Sequence, residues 1–293
     1  MYLDVFLNYL RYERNYSDNT ILAYRRDIEQ FYSYLCLADG EDVLGVLNVC
    51  NARSWLMELM NNQYSATSVR RKLSSLRVYS RFLFKNGFIS KDELGVLVSP
   101  KMAKKLPVFV RSNDMERLLN GDTFSNDFEG CRDRLIIDMF YSTGIRLAEL
   151  VGLNNDDVDL ESRTIKVLGK GNKERLIPFG FTLRGEIEAY FDLRGALDKI
   201  ESGVFFVKLD GKRVTRSLVY KLVRSRLSEV STVVKKSPHV LRHSFATNML
   251  NNGADLQVIK EILGHSSLAA TEIYTHTTFK ELKKIYKQAH PRA

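Results

Sequence analysis

The sequence has few cysteines, few prolines and no long apolar run, and each shortage excludes a class of protein. Its three cysteines, Cys36, Cys50 and Cys131, are widely spaced and odd in number, which argues against a disulfide framework and fits a reducing compartment. Five prolines and 17 glycines exclude a collagen-like or broadly disordered chain. No apolar run reaches the roughly 18 residues of a membrane-spanning helix, and the start lacks the layout of a signal peptide. We expect a cytoplasmic protein without membrane contact.

The length and the helical pattern predict two domains joined by a linker. A chain of 293 residues with 27% charged and 44% hydrophobic residues can bury two cores without disulfides or metals. Before residue 98, polar clusters at 17–20 and 65–67 precede apolar residues at helical spacing. Pro100 and Pro107 then bracket a basic stretch without periodicity. We predict a helical domain over 1–97, a linker over 98–107 and a second domain over 108–293.

The second domain has a mixed pattern that predicts mostly helices and a small antiparallel sheet. A helix is expected to start near Ser112. Short apolar runs at 164–168 and 173–178 flank a glycine-containing turn, which is typical of a hairpin, and 204–207 is a third candidate strand. The predicted fold class is therefore mainly α, with a helical N-terminal domain and a mixed, mostly helical C-terminal domain.

Positive charge is in excess and unevenly distributed. Lys and Arg number 44 against 35 acids, for a net charge of +9, and no acid interrupts the basic stretches from Arg70 to Lys85 and from Lys212 to Arg226. Two such stretches in different halves suggest a polyanion held from two sides, although solvated helix faces would give the same pattern. The candidate contacts to a nucleic-acid backbone are Arg70, Arg77, Arg81, Lys212, Arg213 and Arg216.

Several polar residues of the second domain lie where chemistry is conceivable, and each has a simpler explanation when taken alone. Arg146 and Glu149 could form a surface pair three residues apart on a helix, and Lys170 could be an ordinary turn residue. His239 and Arg242 share a helix face and could hold one anion together. A zinc helix built on His239 and His243 is discounted, because no Glu of a His-Glu-x-x-His motif and no clear third ligand are present.

The ordered set is more specific than its members. Six polar residues occur in five short sequence motifs: Arg146, Lys170, His239, Arg242, His265 and Tyr274. The motifs are Thr-Gly-Ile-Arg-Leu-Ala-Glu-Leu, Gly-Lys-Gly-Asn-Lys-Glu-Arg, His-Val-Leu-Arg-His-Ser-Phe-Ala-Thr, Leu-Gly-His and Tyr-Thr-His. In this order they resemble the active-site pattern of the tyrosine recombinases, the lambda integrase superfamily. The N-terminal helices are similar to the family's SAM-like core-binding domain, and the length and the ending His-Pro-Arg-Ala are similar to the Xer subgroup. The stretch from about 181 to 237 is less distinctive.

The resemblance implies a role for each of these residues. Tyr274 would be the nucleophile that forms a 3′-phosphotyrosine link with DNA, and Lys170 would protonate the leaving 5′-oxygen. Arg146 and Arg242 would clamp the phosphate oxygens, with further hydrogen bonds from His239 and His265. Glu149 would orient Arg146 or a histidine. No metal and no cofactor are implied.

The resemblance also implies partners. Double-stranded DNA would be bound by a tetramer on two sites, with the C-terminal segment docked on a neighbouring subunit, and a second Xer-type recombinase and a DNA translocase are usual in the subgroup. The favoured function is site-specific recombination that resolves chromosome dimers at a dif-like site. The alternatives are an integrase of a phage or conjugative element, a type IB topoisomerase, and a DNA-binding protein whose catalytic set has decayed.

Overall fold

Helices dominate both halves of the chain in the computed structural model, which describes residues 2–36, 44–101, 108–169, 174–230, 236–264 and 279–292. The chain separates into two compact units, Met1–Lys105 and Leu106–Ala293. The predicted linker over 98–107 stays a prediction, because residues 102–107 lie outside the described part. No helix in the described ranges is both long and apolar enough to cross a membrane.

The first unit is a helical bundle, as the sequence predicts. Ser17 and Ser65 accept the N–H of the third residue after them and so begin the second and fourth helices. Large side chains such as Phe31, Trp55 and Tyr79 fill the core. Its elements are α1 (Tyr2–Asn8), a π-helical turn (Tyr9–Glu13), α2 (Asp18–Tyr34), α3 (Val49–Asn61), α4 (Ala66–Lys85) and a 3-10 turn (Glu93–Val96).

A buried charged network joins α2 to α4 in this unit. Asp27 is 1% exposed and accepts hydrogen bonds from Lys72 (3.0 Å), from the Ser75 hydroxyl (2.7 Å) and from Arg71. Lys72 also donates to the side-chain carbonyl of Gln30. A buried carboxylate is tolerated only when it is paired and hydrogen-bonded, so Asp27 fixes the register of the two helices.

The second unit surrounds the nearly fully buried helix α6, which packs against α8 and α10. The helix expected near Ser112 is present as α5. The helices are α5 (Ser112–Asn120), α6 (Phe128–Thr143), α7 (Leu147–Gly152), α8 (Phe181–Gly195), α9 (Arg216–Val230), α10 (Pro238–Asn251), α11 (Leu256–Leu263) and α12 (Phe279–Ala289), with a 3-10 turn at Asn155–Asp157.

A small antiparallel sheet lies in this unit in the order β1-β2-β3, and it confirms the predicted hairpin. Its strands are β1 (Val158–Asp159), β2 (Thr164–Leu168) and β3 (Glu174–Pro178). Ile165 pairs with Ile177 and Val167 with Arg175. The expected strand over 204–207 is wrong: all four residues are buried, but they form only isolated bridges at Val204 and Val207. The short β1 was not predicted.

The C-terminal segment packs on its own unit in this single chain. Lys283 donates to the Ser162 carbonyl (2.8 Å), and Asn252 donates to the Ala289 carbonyl (2.7 Å). Beyond α12, Arg292 binds Asp138 through Nε at 3.0 Å and Glu186 through Nη2 at 2.9 Å. The expected docking on a neighbouring subunit concerns the DNA-bound assembly and stays a prediction.

Candidate active site

Arg146 is held at the start of α7 by a residue of the same turn. It is the N-cap of the helix, in an extended conformation. The Oε2 atom of Glu149 accepts the backbone N–H of Arg146 (2.9 Å), and Oε1 accepts the guanidinium (2.8 Å). The side chain of Glu149 is 6% exposed and that of Arg146 is 33% exposed. This is a constrained pair beside solvent rather than a loose surface ion pair.

Arg175 reaches the same carboxylate from β3. Its two terminal nitrogens donate to the two oxygens of Glu149, each at 2.8 Å, which is the bidentate geometry of an arginine on a carboxylate. Burial by itself raises the pKa of Glu149, but the hydrogen bonds from Arg175 and from Arg146 outweigh it and lower this pKa to about 2. Glu149 is therefore ionised at neutral pH and neutralises part of the surrounding positive charge.

Three guanidinium groups converge on the C-terminal end of α11. The helix ends at Gly264, whose left-handed conformation (φ +63°) turns the chain away. The last carbonyls of a helix lack partners within the helix and carry partial negative charge, so cations stabilise them. The bonds are Arg175 Nε to the Ile262 carbonyl (2.8 Å), Arg242 Nη2 to the Leu263 carbonyl (2.5 Å) and Arg146 Nη2 to the Gly264 carbonyl (2.8 Å).

Arg242 is the most enclosed of the three arginines that hold this helix end. It projects from α10, is 8% exposed and also donates to the carbonyl of Gly144, the left-handed residue that ends α6. A Cβ at Gly144 would lie 2.6 Å from Phe245 and 2.8 Å from Leu263, so only glycine fits there. Burial, followed by the positive charges of Arg146 and Arg175, lowers the pKa of Arg242 to about 10. The guanidinium still carries its charge at neutral pH.

We call Arg146, Glu149, Arg175 and Arg242 the arginine cluster. Its three cations face one carboxylate, which leaves two positive charges in excess among these four side chains. Arg242 is buried and the side chain of Arg175 is 11% exposed, whereas Arg146 reaches solvent. Guanidinium groups held in place in this way match the oxygens of a phosphate. The cluster can therefore bind an anion and stabilise charge that develops on it.

The other predicted catalytic residues are placed less completely. His239 lies in the first turn of α10 and is exposed, one turn before Arg242. Lys170, in the connection between β2 and β3, lies outside the described residues, as do His265, directly after Gly264, and Tyr274. The structure thus brings Arg146, Glu149 and Arg242 together, and the catalytic roles of all of these residues stay predictions. Among the described residues, no group of three or more His, Cys, Asp or Glu side chains has the arrangement of a metal site.

The six predicted DNA contacts differ in what their side chains bind. Arg77 donates to the carbonyls of Leu94 (3.2 Å) and Leu97, and Arg213 donates to those of Val151 and Leu153 (both 2.9 Å). These two guanidinium groups hold the backbone of their own unit. Arg81 lies 3.7 Å from a carboxylate oxygen of Asp92. The remaining three, Arg70, Lys212 and Arg216, are exposed.

Sequence reasoning missed Arg175 as a member of the site. It is the last residue of the motif Gly-Lys-Gly-Asn-Lys-Glu-Arg, from which only Lys170 was selected as a candidate. The available signal was strand alternation, because residues 175 and 177 share one face of β3 and Ile177 is buried. An arginine on the core-facing side of a strand needs a partner, and the partner is Glu149.

Both units match known protein families. Residues 3–87 match the N-terminal SAM-like domain of phage integrases, and residues 109–281 match the phage integrase family. The chain is 39% identical over 318 residues to tyrosine recombinase XerC of Chlorobaculum parvum, covering 100% of this chain and 95% of the relative. It is 38% identical over 294 residues to tyrosine recombinase XerD of Listeria monocytogenes serotype 4b, covering 99% of each.

Solved structures show the same architecture over most of the chain. The crystal structure of XerA recombinase is 30% identical, with a TM-score of 0.50 and coverage of 100% of this chain and 99% of that one. The post-cleavage complex of XerH recombinase with palindromic difH is 23% identical, with a TM-score of 0.71 over 92% of this chain and 80% of that one, a likeness of fold. With both domains matched and full-length relatives above 30% identity, the chain belongs to the phage integrase family of tyrosine recombinases and is a site-specific recombinase of the Xer type.

Proposed function

We propose that this recombinase cuts and rejoins double-stranded DNA, and that Arg146 and Arg242 of the arginine cluster hold the phosphate at the point of cleavage. The observation that carries this proposal is the convergence of Arg146, Arg175 and Arg242 on one helix end, with a single buried carboxylate among them. Transfer of a phosphodiester places negative charge on its non-bridging oxygens, and preorganised cations stabilise that charge. Arg146 and Arg242 would contact these oxygens, with His239 and His265 as further donors.

In the proposed reaction, Tyr274 is the nucleophile. Its hydroxyl oxygen bonds to phosphorus and loses its proton, while the bond from phosphorus to the 5′-oxygen breaks. Lys170 donates a proton to that oxygen, which leaves as a 5′-hydroxyl. The 3′-phosphate stays on the tyrosine until a 5′-hydroxyl attacks it and reverses the step. Because one phosphoester replaces another, rejoining needs no cofactor.

The finer functional assignment follows the relatives. XerH, one of the structural neighbours, is bound to difH DNA in its crystals. We propose for this chain a tetramer on two dif-like sites in the cytoplasm, with α12 of each subunit docked on a neighbour. A second Xer-type recombinase and a DNA translocase would be its partners, and resolution of chromosome dimers its task. An integrase of a mobile element is the second candidate, since structures of the Tn1549 transposon integrase share the fold at a TM-score of 0.72.

A nicked DNA that carries a dif-like core tests the chemistry, because the short cut fragment diffuses away and traps the covalent intermediate. Wild type, Tyr274→Phe and Tyr220→Phe are incubated with this DNA in chelator and run on a denaturing gel. Tyr220 is an exposed tyrosine of α9 and serves as the matched control. We expect a protein–DNA adduct with wild type and Tyr220→Phe and none with Tyr274→Phe. An adduct that persists in Tyr274→Phe would reject the nucleophile.

Three further outcomes separate the alternatives. DNA binding by wild type in a shift assay without any adduct, on dif-like and on mobile-element core sites alike, would favour a decayed enzyme. Relaxation of supercoiled plasmid that carries no such site would favour a topoisomerase. An adduct on mobile-element sites but not on dif-like sites would favour the integrase.

A further inference from the structure

Arg175 connects three elements through one side chain. It lies on β3, and its guanidinium donates three hydrogen bonds of 2.8 Å, two to Glu149 in the first turn of α7 and one to the carbonyl of Ile262 near the end of α11. These partners are 26 and 87 residues away in the sequence. Its side chain is 11% exposed. The side chain of Arg175 is therefore more enclosed than that of Arg146, which is 33% exposed.

The end of α11 also rests on the body of this side chain. A Cβ at Gly264 would lie 3.0 Å from Cδ of Arg175 and 3.2 Å from Nε and from Nη1. The left-handed glycine allows the backbone to approach the guanidinium this closely. Polar contact and packing thus both set the position of the helix end against β3.

The chain neighbours of Arg175 and of its partners are the residues with proposed chemical roles. Lys170 precedes Arg175 by five residues in the sequence, before β3 begins, and His265 directly follows Gly264. Glu149, the carboxylate that Arg175 binds, also holds the guanidinium of Arg146. The side chain of Arg175 therefore links β3, which follows Lys170 in the sequence, to Glu149, which binds Arg146, and to the end of α11, which precedes His265.

We infer that Arg175 is a positioning residue for strand cleavage, which holds Glu149, and through it Arg146, against β3 and the end of α11. This inference rests on the proposed function, because it assumes that Arg146 and His265 act on the phosphate. Arg175 acts through these groups and does not touch the DNA. The planar fork of arginine is required, since one lysine ammonium cannot bond both oxygens of Glu149 and the Ile262 carbonyl with the same geometry.

The test compares Arg175→Lys with Arg132→Lys. Both substitutions keep the positive charge and remove the planar guanidinium group. Arg132 is a suitable control because it is 3% exposed, binds Asp133 (2.7 Å) in the same unit and lies about 18 Å along α6 from Gly144. We measure DNA affinity by a shift assay and the rate of adduct formation at saturating nicked DNA. Arg175→Lys is expected to keep its affinity and to lose about 10- to 100-fold in rate, as for a misplaced reacting group. Arg132→Lys keeps both.

Amide hydrogen exchange gives a second measurement that does not depend on cleavage. In Arg175→Lys the amides at the end of α11 should exchange faster, whereas in Arg132→Lys they should exchange as in wild type. Unchanged exchange at α11, or a wild-type cleavage rate in Arg175→Lys, would overturn the positioning role. Absence of an adduct in wild type would instead reject the proposed function, and the exchange data would still decide whether Arg175 holds the helix end.

Discussion

Asp27 in the first unit and Glu149 in the second are both enclosed by basic side chains, and the two networks differ in what they connect. Asp27 joins α2 to α4, two neighbouring helices of one bundle, through Lys72, Ser75 and Arg71. Glu149 joins residues of α7 and β3, and its arginine partners continue to the end of α11. The first network fixes the packing of a pair of helices. The second assembles a site from distant parts of the chain.

The networks also differ in the acceptors that the cations find. In the first unit Lys72 is shared between Asp27 and Gln30, so side-chain oxygens receive its hydrogen bonds. In the arginine cluster three guanidinium groups face one carboxylate and otherwise bind backbone carbonyls, which carry only partial charge. Cations outnumber the carboxylate in both networks, by one where Lys72 and Arg71 bind Asp27 and by two in the arginine cluster. An excess of charge therefore does not distinguish the networks, and what sets the arginine cluster apart is that three guanidinium groups meet at one helix end.

The largest expected effect is the loss of cleavage in Arg242→Gln. The change removes a charged donor from the proposed phosphate clamp and weakens the contacts to the carbonyls of Gly144 and Leu263. We expect the rate of adduct formation to fall by about 10²–10³-fold, as when one preorganised donor to an oxyanion is lost. The comparison variant in the network of the first unit is Asp27→Asn.

Asp27→Asn leaves the buried Lys72 without its anion, so it should lower the free energy of unfolding by about 3 kcal/mol. The rate of adduct formation at saturating DNA should stay that of wild type, because the network lies in the other unit. Urea unfolding and single-turnover cleavage measure the two effects. The distinction between the networks fails if Asp27→Asn slows cleavage as much as Arg242→Gln does.

Low pH should remove the stabilising effect of the ionised Glu149. A glutamate without partners titrates near pH 4.5, whereas the pKa of Glu149 in the folded chain is about 2. Its contribution to stability is therefore complete above pH 4.5 and is lost as the pH falls towards 2, an effect of about 3 kcal/mol. The difference in unfolding free energy between wild type and Glu149→Gln should shrink over that range. A difference that does not change with pH would show that Glu149 is not held ionised by its arginines.

A matched pair of glycines sharpens the comparison further. Gly264 and Gly87 both have left-handed backbones, with φ of +63° and +72°, but only a Cβ at Gly264 would meet another side chain, Arg175. Alanine at either position adds about 1 kcal/mol of backbone strain. Gly264→Ala should in addition displace Arg175 and slow adduct formation, whereas Gly87→Ala should lower only the melting temperature. Equal cleavage rates in the two variants would contradict the close packing of α11 on Arg175.

The smallest effect is expected at the surface. Arg70 is exposed on α4, so Arg70→Gln should weaken DNA binding a few-fold and reduce the slope of log affinity against log salt by about 1. Arg77 is bonded to the Leu94 and Leu97 carbonyls, so Arg77→Gln should lower the melting temperature and leave the salt slope unchanged. Titrations of binding against salt measure both slopes. The reverse result would assign the DNA contact to Arg77.

Periodicity and polar start signals were enough to predict α2, α4 and α5, the mainly helical character of both units and the β2–β3 hairpin. They failed at 204–207, because a run of four buried apolar residues satisfies a strand pattern and an irregular core segment equally well. Ordered motifs were enough to select Arg146, Glu149 and Arg242 from the sequence. Arg77 and Arg213 show the limit of charge patterns, since a basic run does not reveal which guanidinium groups turn inward to carbonyls.

By itself the sequence determined the helical character of the chain, its family and which residues have proposed chemical roles. These properties depend on local residue spacing and on short sequence motifs. Only the tertiary structure decided that Arg175 belongs with Glu149 and that three arginines hold the end of α11. Those contacts join residues up to 118 positions apart. No local pattern encodes such a contact, because it forms only when the packing of β3, α7, α10 and α11 brings their ends together.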